Sequence, residues 1–150
     1  MIKIEKAQRD NISKIADFQF SMAFETESLQ LNYEVLKAGV EAVFNDSSKG
    51  EYFVAELDNE IIGVLLITKE WSDWRNKQVY WIQSVYVLPE HRGKGIYTLM
   101  YNHIKNIVLN SIHIAGVRLY VDKRNTVAQK VYSVSGMTNE HYELFEWMKD

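Results

Sequence analysis

Hydrophobic residues recur along the chain with two different periods, and these periods predict its elements. The alternation at Ile2 and Ile4 predicts a short first strand with one buried face. Helical spacing then predicts two helices, one capped by Asp10 and one starting near Asn32. The apolar stripe of the first helix comprises Ile12, Ile15, Ala16, Gln19, Met22 and Ala23. The residues Glu25 to Glu27 are expected between the two helices.

Three strand-like runs follow the second helix. The runs 52–57 and 61–68 are separated by Asp58-Asn59-Glu60, which is a connection of hairpin length, so this pair is predicted to be antiparallel. After the polar, tryptophan-containing stretch 69–77, the aromatic and β-branched run 79–87 is typical of a central strand. It stops before Pro89.

The last third of the chain alternates between helix and strand. A helix is expected from Ile96, a strand over 117–121, a short helix from about Asn125, and a final strand over 142–148. Gly136 stands where a left-handed residue would end the short helix.

This order predicts an α/β (α+β) fold with a mixed, mostly antiparallel central sheet flanked by helices. With 150 residues and a single proline, the chain is expected to form one domain over 1–150 with one hydrophobic core.

Charge and composition exclude several classes of function. The net charge is −3 and the basic residues are scattered, so no nucleic-acid partner is expected. The chain has no cysteine, which removes disulfides, thiolate metal sites and a cysteine nucleophile. No apolar run approaches the roughly 18 residues of a membrane span, and the N-terminus is too charged for a signal peptide. We expect a cytoplasmic protein without a membrane partner.

Two glycines before the third predicted helix indicate an anion site. Gly93 and Gly95 allow a tight turn and a close approach to backbone amides, and the helix start attracts negative charge. Arg92 and Lys94 add positive charge there. The alternative is a simple glycine turn with solvated basic residues.

Two known phosphate motifs do not fit this spacing. A Walker loop needs Ser or Thr after Gly93-Lys94, where the chain has Gly95. The dinucleotide fingerprint needs a third glycine at position 98, which is Thr98.

The segment Arg92-Gly93-Lys94-Gly95-Ile96-Tyr97 resembles the acetyl-CoA signature of the GNAT N-acetyltransferases, except that Tyr97 replaces its final Gly or Ala. The resemblance extends to Asn125-x-x-Ala128-x-x-x-Tyr132 and to Gly136. It implies the acyl-CoA N-acyltransferase fold, acetyl-CoA as co-substrate and a homodimer. The tyrosine ring is expected to point away from the pyrophosphate or to narrow its site.

The resemblance also implies where the cofactor lies. The strand edge at Val85, Tyr86 and Val87 would pair with pantetheine, and the loop from Arg92 to Tyr97 would hold the pyrophosphate. Asn125 and Tyr132 would lie beside the thioester, and Ala128 would belong to the cofactor-binding residues. Tyr132 is the candidate catalytic acid for the departing thiolate, since its ordinary pKa is near 10. Spacing alone favours a core tyrosine on the helix stripe, whereas the flanking Asn125 and Ala128 pattern favours the acid role.

The candidate acceptor site is acidic and aromatic. Carboxylates and tryptophan faces attract an ammonium group, and the candidate residues are Glu25, Glu27, Glu70, Trp71 and Asp73. These residues resemble the diamine and polyamine branch of the family, which implies a small-molecule amine as substrate. The alternative is a solvated loop with anchoring tryptophans. The residues do not identify the general base.

The four histidines lack metal-ligand spacing, so no metal is predicted. Two other functions fit the same motifs. One is a non-catalytic acyl-CoA-binding module, which Tyr97 favours, and the other is acetylation of a protein or peptide amine.

Overall fold

A computed structural model of the protein describes residues 1–149 and contains the predicted elements in order as far as residue 134. These elements are β1 (Lys3–Lys6), α1 (Ile12–Glu27), α2 (Tyr33–Asn45), β2 (Glu51–Leu57), β3 (Glu60–Ser72), β4 (Lys77–Val87), α3 (Ile96–Leu109), β5 (Ile114–Leu119) and α4 (Thr126–Val134). Short 3-10 turns lie at Arg9–Asn11, Ser47–Lys49 and Pro89–His91.

The strands form one sheet in the order β1-β2-β3-β4-β5. The first three pairings are antiparallel, and β4 pairs with β5 in parallel. The predicted mixed, mostly antiparallel sheet is therefore confirmed. A parallel pair needs a long crossover connection, and α3 provides it between β4 and β5.

Helices cover both faces of this sheet. On one face, Ile15 and Val40 of α1 and α2 pack in a cluster with Val54 and Val64. On the other face, a Cβ added at Gly63 would lie 3.3 Å from Sδ of Met100 in α3. Because side chains alternate along a strand, the buried run in the middle of β3 packs against the helices on both faces of the sheet.

The polar stretch 69–77 is mostly strand, which corrects the expectation of a loop. Glu70 and Trp71 of β3 lie opposite Val79 and Gln78 of β4, and only 73–76 form the turn. Ladder hydrogen bonds depend on the backbone, so polar side chains on a half-exposed hairpin do not prevent pairing.

The start and the end of α1 also differ from the expectation. Its N-cap is Asn11, whose Oδ1 accepts a 2.8 Å hydrogen bond from the Gln8 amide, while Asp10 lies inside the preceding 3-10 turn. The helix continues to Glu27, so Glu25 and Glu27 belong to its last turn and do not lie in the connection to α2.

The chain separates into two units, Met1–Tyr120 and Val121–Asp150. The first holds the sheet with α1, α2 and α3, and the second holds α4. The single domain over 1–150 stays a prediction. Within residues 1–149, no helix combines the length and the apolar character that crossing a membrane requires.

In the second unit one expectation is confirmed and one is wrong. Gly136 has φ +90° directly after the C-cap Ser135, as predicted for a left-handed helix end. The strand over 142–148 is not formed. A strand needs a neighbouring strand to bond to, and α4 is the one helix or strand among the described residues of this unit.

Candidate active site

Strand β4 contains a bulge in its second half. Leu66 lies opposite Gln83 and Val64 opposite Tyr86, so two steps along β3 match three steps along β4. The extra residue is accommodated at Ser84, whose φ is +52°. Because the bulge shifts the alternation by one residue, Tyr86 joins the core under α1, although it has the same parity as Ile82 on the other face.

The bulge coincides with the place where β4 parts from β5. Their parallel pairing runs from Gln78 opposite Ile114 to Ile82 opposite Leu119. Beyond Ile82, the part of the sheet that the structure describes gives β4 no β5 partner. This edge contains Val85, Tyr86 and Val87, the residues predicted to pair with pantetheine, and such an edge can bond an extended ligand.

A buried glutamine contacts the bulge. Gln19 of α1 has 6% of its surface exposed, and its Nε2 donates a 3.3 Å hydrogen bond to the carbonyl oxygen of Ser84. Gln19 lies on the predicted apolar stripe of the helix, and its spacing indicated no functional role. The signal in the sequence that could have indicated a role for Gln19 was a polar side chain at a position predicted to face the core.

The glycine loop follows β4 after the 3-10 turn at Pro89–His91. Gly93 and Gly95 have φ values of +73° and +77°, a conformation that side-chain-bearing residues rarely adopt. Gly95 is the N-cap of α3, and the buried Ile96 anchors the first turn. The first N–H groups of a helix lack intrahelical acceptors, so this turn presents amide donors and a positive dipole end.

Arg92, the first residue of the motif, is held by the protein itself. Its Nε donates to the carbonyl oxygen of Val87 at 2.8 Å, and its Nη2 donates to Oε2 of Glu25 at 2.7 Å. Oε1 of Glu25 accepts a 2.8 Å hydrogen bond from the Tyr86 hydroxyl. The Arg92 bond lowers the pKa of Glu25, and burial together with Glu25 raises the pKa of Tyr86.

Tyr97 packs against Tyr101, one turn further along α3. The two rings are nearly parallel, with an interplanar angle of 19° and centroids 6.2 Å apart. This contact anchors the Tyr97 ring to its own helix. Its effect on a bound pyrophosphate stays a prediction.

The five predicted acceptor residues fall into two groups. Glu25 and Glu27 lie on the last turn of α1, where Glu25 contacts Tyr86. Glu70, Trp71 and Asp73 lie at the turn end of the β3–β4 hairpin. Glu70 is opposite Val79, seven residues before Tyr86, which is roughly 20 Å along the strand. The structure does not bring the two groups together.

Glu70 belongs to a network that the sequence did not predict. Its Oε2 accepts hydrogen bonds from Nη1 of Arg118 at 2.6 Å and from Nε1 of Trp81 at 3.2 Å, and the Trp81 ring packs on Tyr120 at 4.6 Å. Arg118 neutralises this carboxylate, so Glu70 attracts a cation less than an isolated carboxylate would. A spacing of 48 residues leaves no local signal for this pair.

The remaining predicted residues lie in the second unit. Asn125 is the N-cap of α4, and its Oδ1 accepts a 3.0 Å hydrogen bond from the Ala128 amide. Tyr132 lies two turns along this helix, and burial raises its pKa. The roles of Asn125 and Tyr132 beside a thioester and of Ala128 in cofactor binding stay predictions.

Among the described residues, no three or more His, Cys, Asp or Glu side chains are placed to hold a metal ion, and the absence of a metal remains a prediction.

The model of the acetyltransferase (GNAT) family matches residues 10–137. The chain therefore belongs to this family and is an acetyl-CoA-dependent N-acetyltransferase. A solved structure described as a possible acetyltransferase from Clostridium difficile 630 is 40% identical, with all of this chain and 99% of that one aligned and a TM-score of 0.93. None of the curated proteins matches the chain.

More distant solved structures share the fold alone. The ribosomal-protein-alanine N-acetyltransferase from Brucella melitensis biovar Abortus 2308 is 14% identical over 99% of this chain and 100% of that chain, with a TM-score of 0.80. The aminoglycoside acetyltransferase meta-AAC0020 from an uncultured soil metagenomic sample, in complex with sisomicin, is 19% identical over 99% of this chain and 95% of that chain, with a TM-score of 0.78.

Proposed function

We propose that the protein transfers the acetyl group of acetyl-CoA directly to the primary amine of a small cationic molecule. The observation that carries this proposal is the edge of β4 at Val85–Val87, which has no β5 partner among the described residues and leads within five residues into the glycine loop. The strand edge is suited to bind an extended thioester arm, and the neighbouring loop is suited to bind a phosphate group.

The loop holds the pyrophosphate in this proposal. The backbone around Gly93 and Gly95 and the start of α3 supply amide donors, and the exposed Lys94 adds a positive charge. Arg92 acts differently because its guanidinium is already bonded to Glu25 and Val87. We assign it to holding the loop against β4 and α1.

Transfer needs a neutral amine, a polarised carbonyl and a proton for the leaving group. The amine nitrogen forms a bond to the carbonyl carbon and loses a proton to water, the carbon–sulfur bond breaks, and the thiolate takes a proton. A backbone N–H of the Val85–Val87 edge donates to the carbonyl oxygen as negative charge develops there. Tyr132, whose hydroxyl is protonated at neutral pH because burial raises its pKa, supplies the proton to sulfur and is then reprotonated from water.

The acceptor amine lies beside the last turn of α1 in this proposal. Glu25 and Glu27 lie there, and Glu25 contacts Tyr86 on the cofactor edge of β4. Glu70, Trp71 and Asp73 form a second candidate group, tested separately because they lie at the far end of the hairpin. The sisomicin complex of an aminoglycoside acetyltransferase with the same fold supports a polycationic small molecule over a diamine in particular.

Acetylation of a protein amine is the second candidate. The likeness to a ribosomal-protein-alanine N-acetyltransferase favours it. Glu25 would then contribute less to binding of the acceptor, because its carboxylate is already bonded to Arg92. A non-catalytic acyl-CoA-binding module is the third, with Tyr97 in place of Gly or Ala as its support.

We also propose that the enzyme works in the cytoplasm as a single domain over 1–150 and as a homodimer. The resemblance in sequence supports the dimer, and light scattering at micromolar concentration measures it. A monomeric mass would reject this part of the proposal without affecting the chemistry.

The test of the function is thiol release from acetyl-CoA with a panel of polyamines, diamines, aminoglycosides, amino acids and short peptides. The proposal expects release that depends on a small polycationic amine. Release with peptides alone would support the second candidate. Acetyl-CoA binding without release above the buffer rate would support the binding module.

A further inference from the structure

We propose that Gln19 is a positioning residue for acetyl transfer, because its side-chain amide fixes the orientation of the Ser84–Val85 peptide group in the bulge of β4. The N–H of Val85 is then the donor aimed at the thioester carbonyl. This inference rests on the proposed function and adds a residue in α1 that contacts neither substrate.

The first observation is the burial of Gln19. Its surface is 6% exposed, and its helix neighbours Ile15 and Ala16 are fully buried. An unpaired amide in such a core loses its hydrogen bonds to water without replacement, so a buried glutamine is expected to have a specific partner. That partner is the carbonyl oxygen of Ser84, 3.3 Å from Nε2 and 65 residues away in the chain.

The second observation is the conformation of the bonded residue. Ser84 has φ +52° in the middle of a strand, where other residues of β4 are extended. A left-handed conformation is sterically unfavourable for a residue with a side chain, so it persists where the surrounding structure holds it. The bond from Gln19 is such a restraint.

The peptide geometry connects this restraint to the cofactor edge. The Ser84–Val85 peptide is trans and planar, so its C=O and its N–H point in opposite directions. Because Gln19 holds the Ser84 oxygen toward α1, the Val85 N–H points away from α1. Val85 lies beyond Ile82, the last β4 residue that pairs with β5. Gln19 thus sets the direction of a donor on the proposed cofactor edge.

The test compares the wild type with Gln19→Leu and with Gln19→Met. The second variant keeps the length of the side chain and removes its amide. The matched control is Ile15→Val, which removes one methylene from a buried residue of α1 whose apolar side chain cannot hydrogen-bond to Ser84. Four quantities are measured for each protein. They are the thermal midpoint, the dissociation constant of acetyl-CoA, kcat with the best amine of the panel, and the infrared carbonyl band of bound [1-¹³C]acetyl-CoA, recorded without amine.

The proposal expects a bound carbonyl band below its solution frequency in the wild type, because an N–H donor polarises the C=O bond. In the Gln19 variants this shift is lost and kcat falls about tenfold or more, whereas acetyl-CoA affinity changes less than about twofold. Ile15→Val keeps the band and kcat even at a similar loss of thermal midpoint.

Three results overturn the inference. Gln19 variants that retain the wild-type band and kcat would leave Gln19 a structural residue, with the proposed function intact. An equal loss of kcat in Ile15→Val would do the same. If the wild type itself releases no thiol with any amine, the proposed function fails and the inference fails with it.

Discussion

Glu25 and Arg92, 67 residues apart in the sequence, form a 2.7 Å hydrogen bond between Oε2 and Nη2. The bond connects the last turn of α1 to the first residue of the glycine loop, and Tyr86 bonds the other carboxylate oxygen at 2.8 Å. A helix, the end of β4 and the loop are therefore connected through one carboxylate. The acidic group that the sequence assigned to the substrate contacts the cofactor motif.

Replacing Glu25 with Ala is expected to weaken acetyl-CoA binding by about three- to tenfold, because a released Arg92 no longer holds the loop. The stability loss should be small, about 1 kcal/mol or less, since the pair is partly exposed. Calorimetric titration with acetyl-CoA measures the affinity. Glu27→Ala on the same helix turn is the control, and an equal loss in that variant would contradict this role of Glu25.

Gly95→Ala is expected to weaken acetyl-CoA binding at least tenfold. The φ of +77° is strained for alanine, so the loop must shift its amides to accommodate the new residue. Gly39→Ala is the matched control, since Gly39 lies within α2 and a Cβ there meets no atom within 4 Å. That variant should gain roughly 0.5–1 kcal/mol of stability with unchanged affinity. Similar affinities in the two variants would reject the proposed role of the loop.

Tyr132→Phe is expected to lower kcat by about tenfold or more while the affinity for acetyl-CoA stays constant. Burial raises the pKa of Tyr132 above its ordinary value near 10, so the hydroxyl remains protonated up to that pH. In the wild type, kcat should therefore not decline because of this acid until the pH exceeds about 10. An unchanged rate in the variant would remove the acid role.

Asp46→Asn is expected to lower stability at pH 7 and to leave activity unchanged. Asp46 accepts hydrogen bonds from Ser48 and Lys49, which lower its pKa to about 2. A carboxyl group whose folded pKa is lowered stabilises the fold above its unfolded pKa of about 3.9, and this contribution is lost as the pH falls toward 2. Urea unfolding of both proteins at pH 7 and pH 2 measures the difference. A difference that persists at pH 2 would contradict this origin.

The sequence determined what local spacing encodes. Alternation and helical periods placed most of the elements within a few residues, because a strand or a helix must bury one face wherever it packs. The loop at Gly93 and Gly95 could also be predicted from the sequence, because glycine readily adopts the positive φ values that this loop needs.

The tertiary structure decided every feature that depends on residues distant in the chain. The bonds of Glu25 to Arg92 and of Gln19 to Ser84 span more than 60 residues, and no periodicity reports which side chains meet across two packed elements. The bulge at Ser84 depends on the register with β3, and the strand expected over 142–148 failed because a strand is defined by its partner. Local propensity determines which element forms, whereas the packing of distant segments determines which of its groups can act.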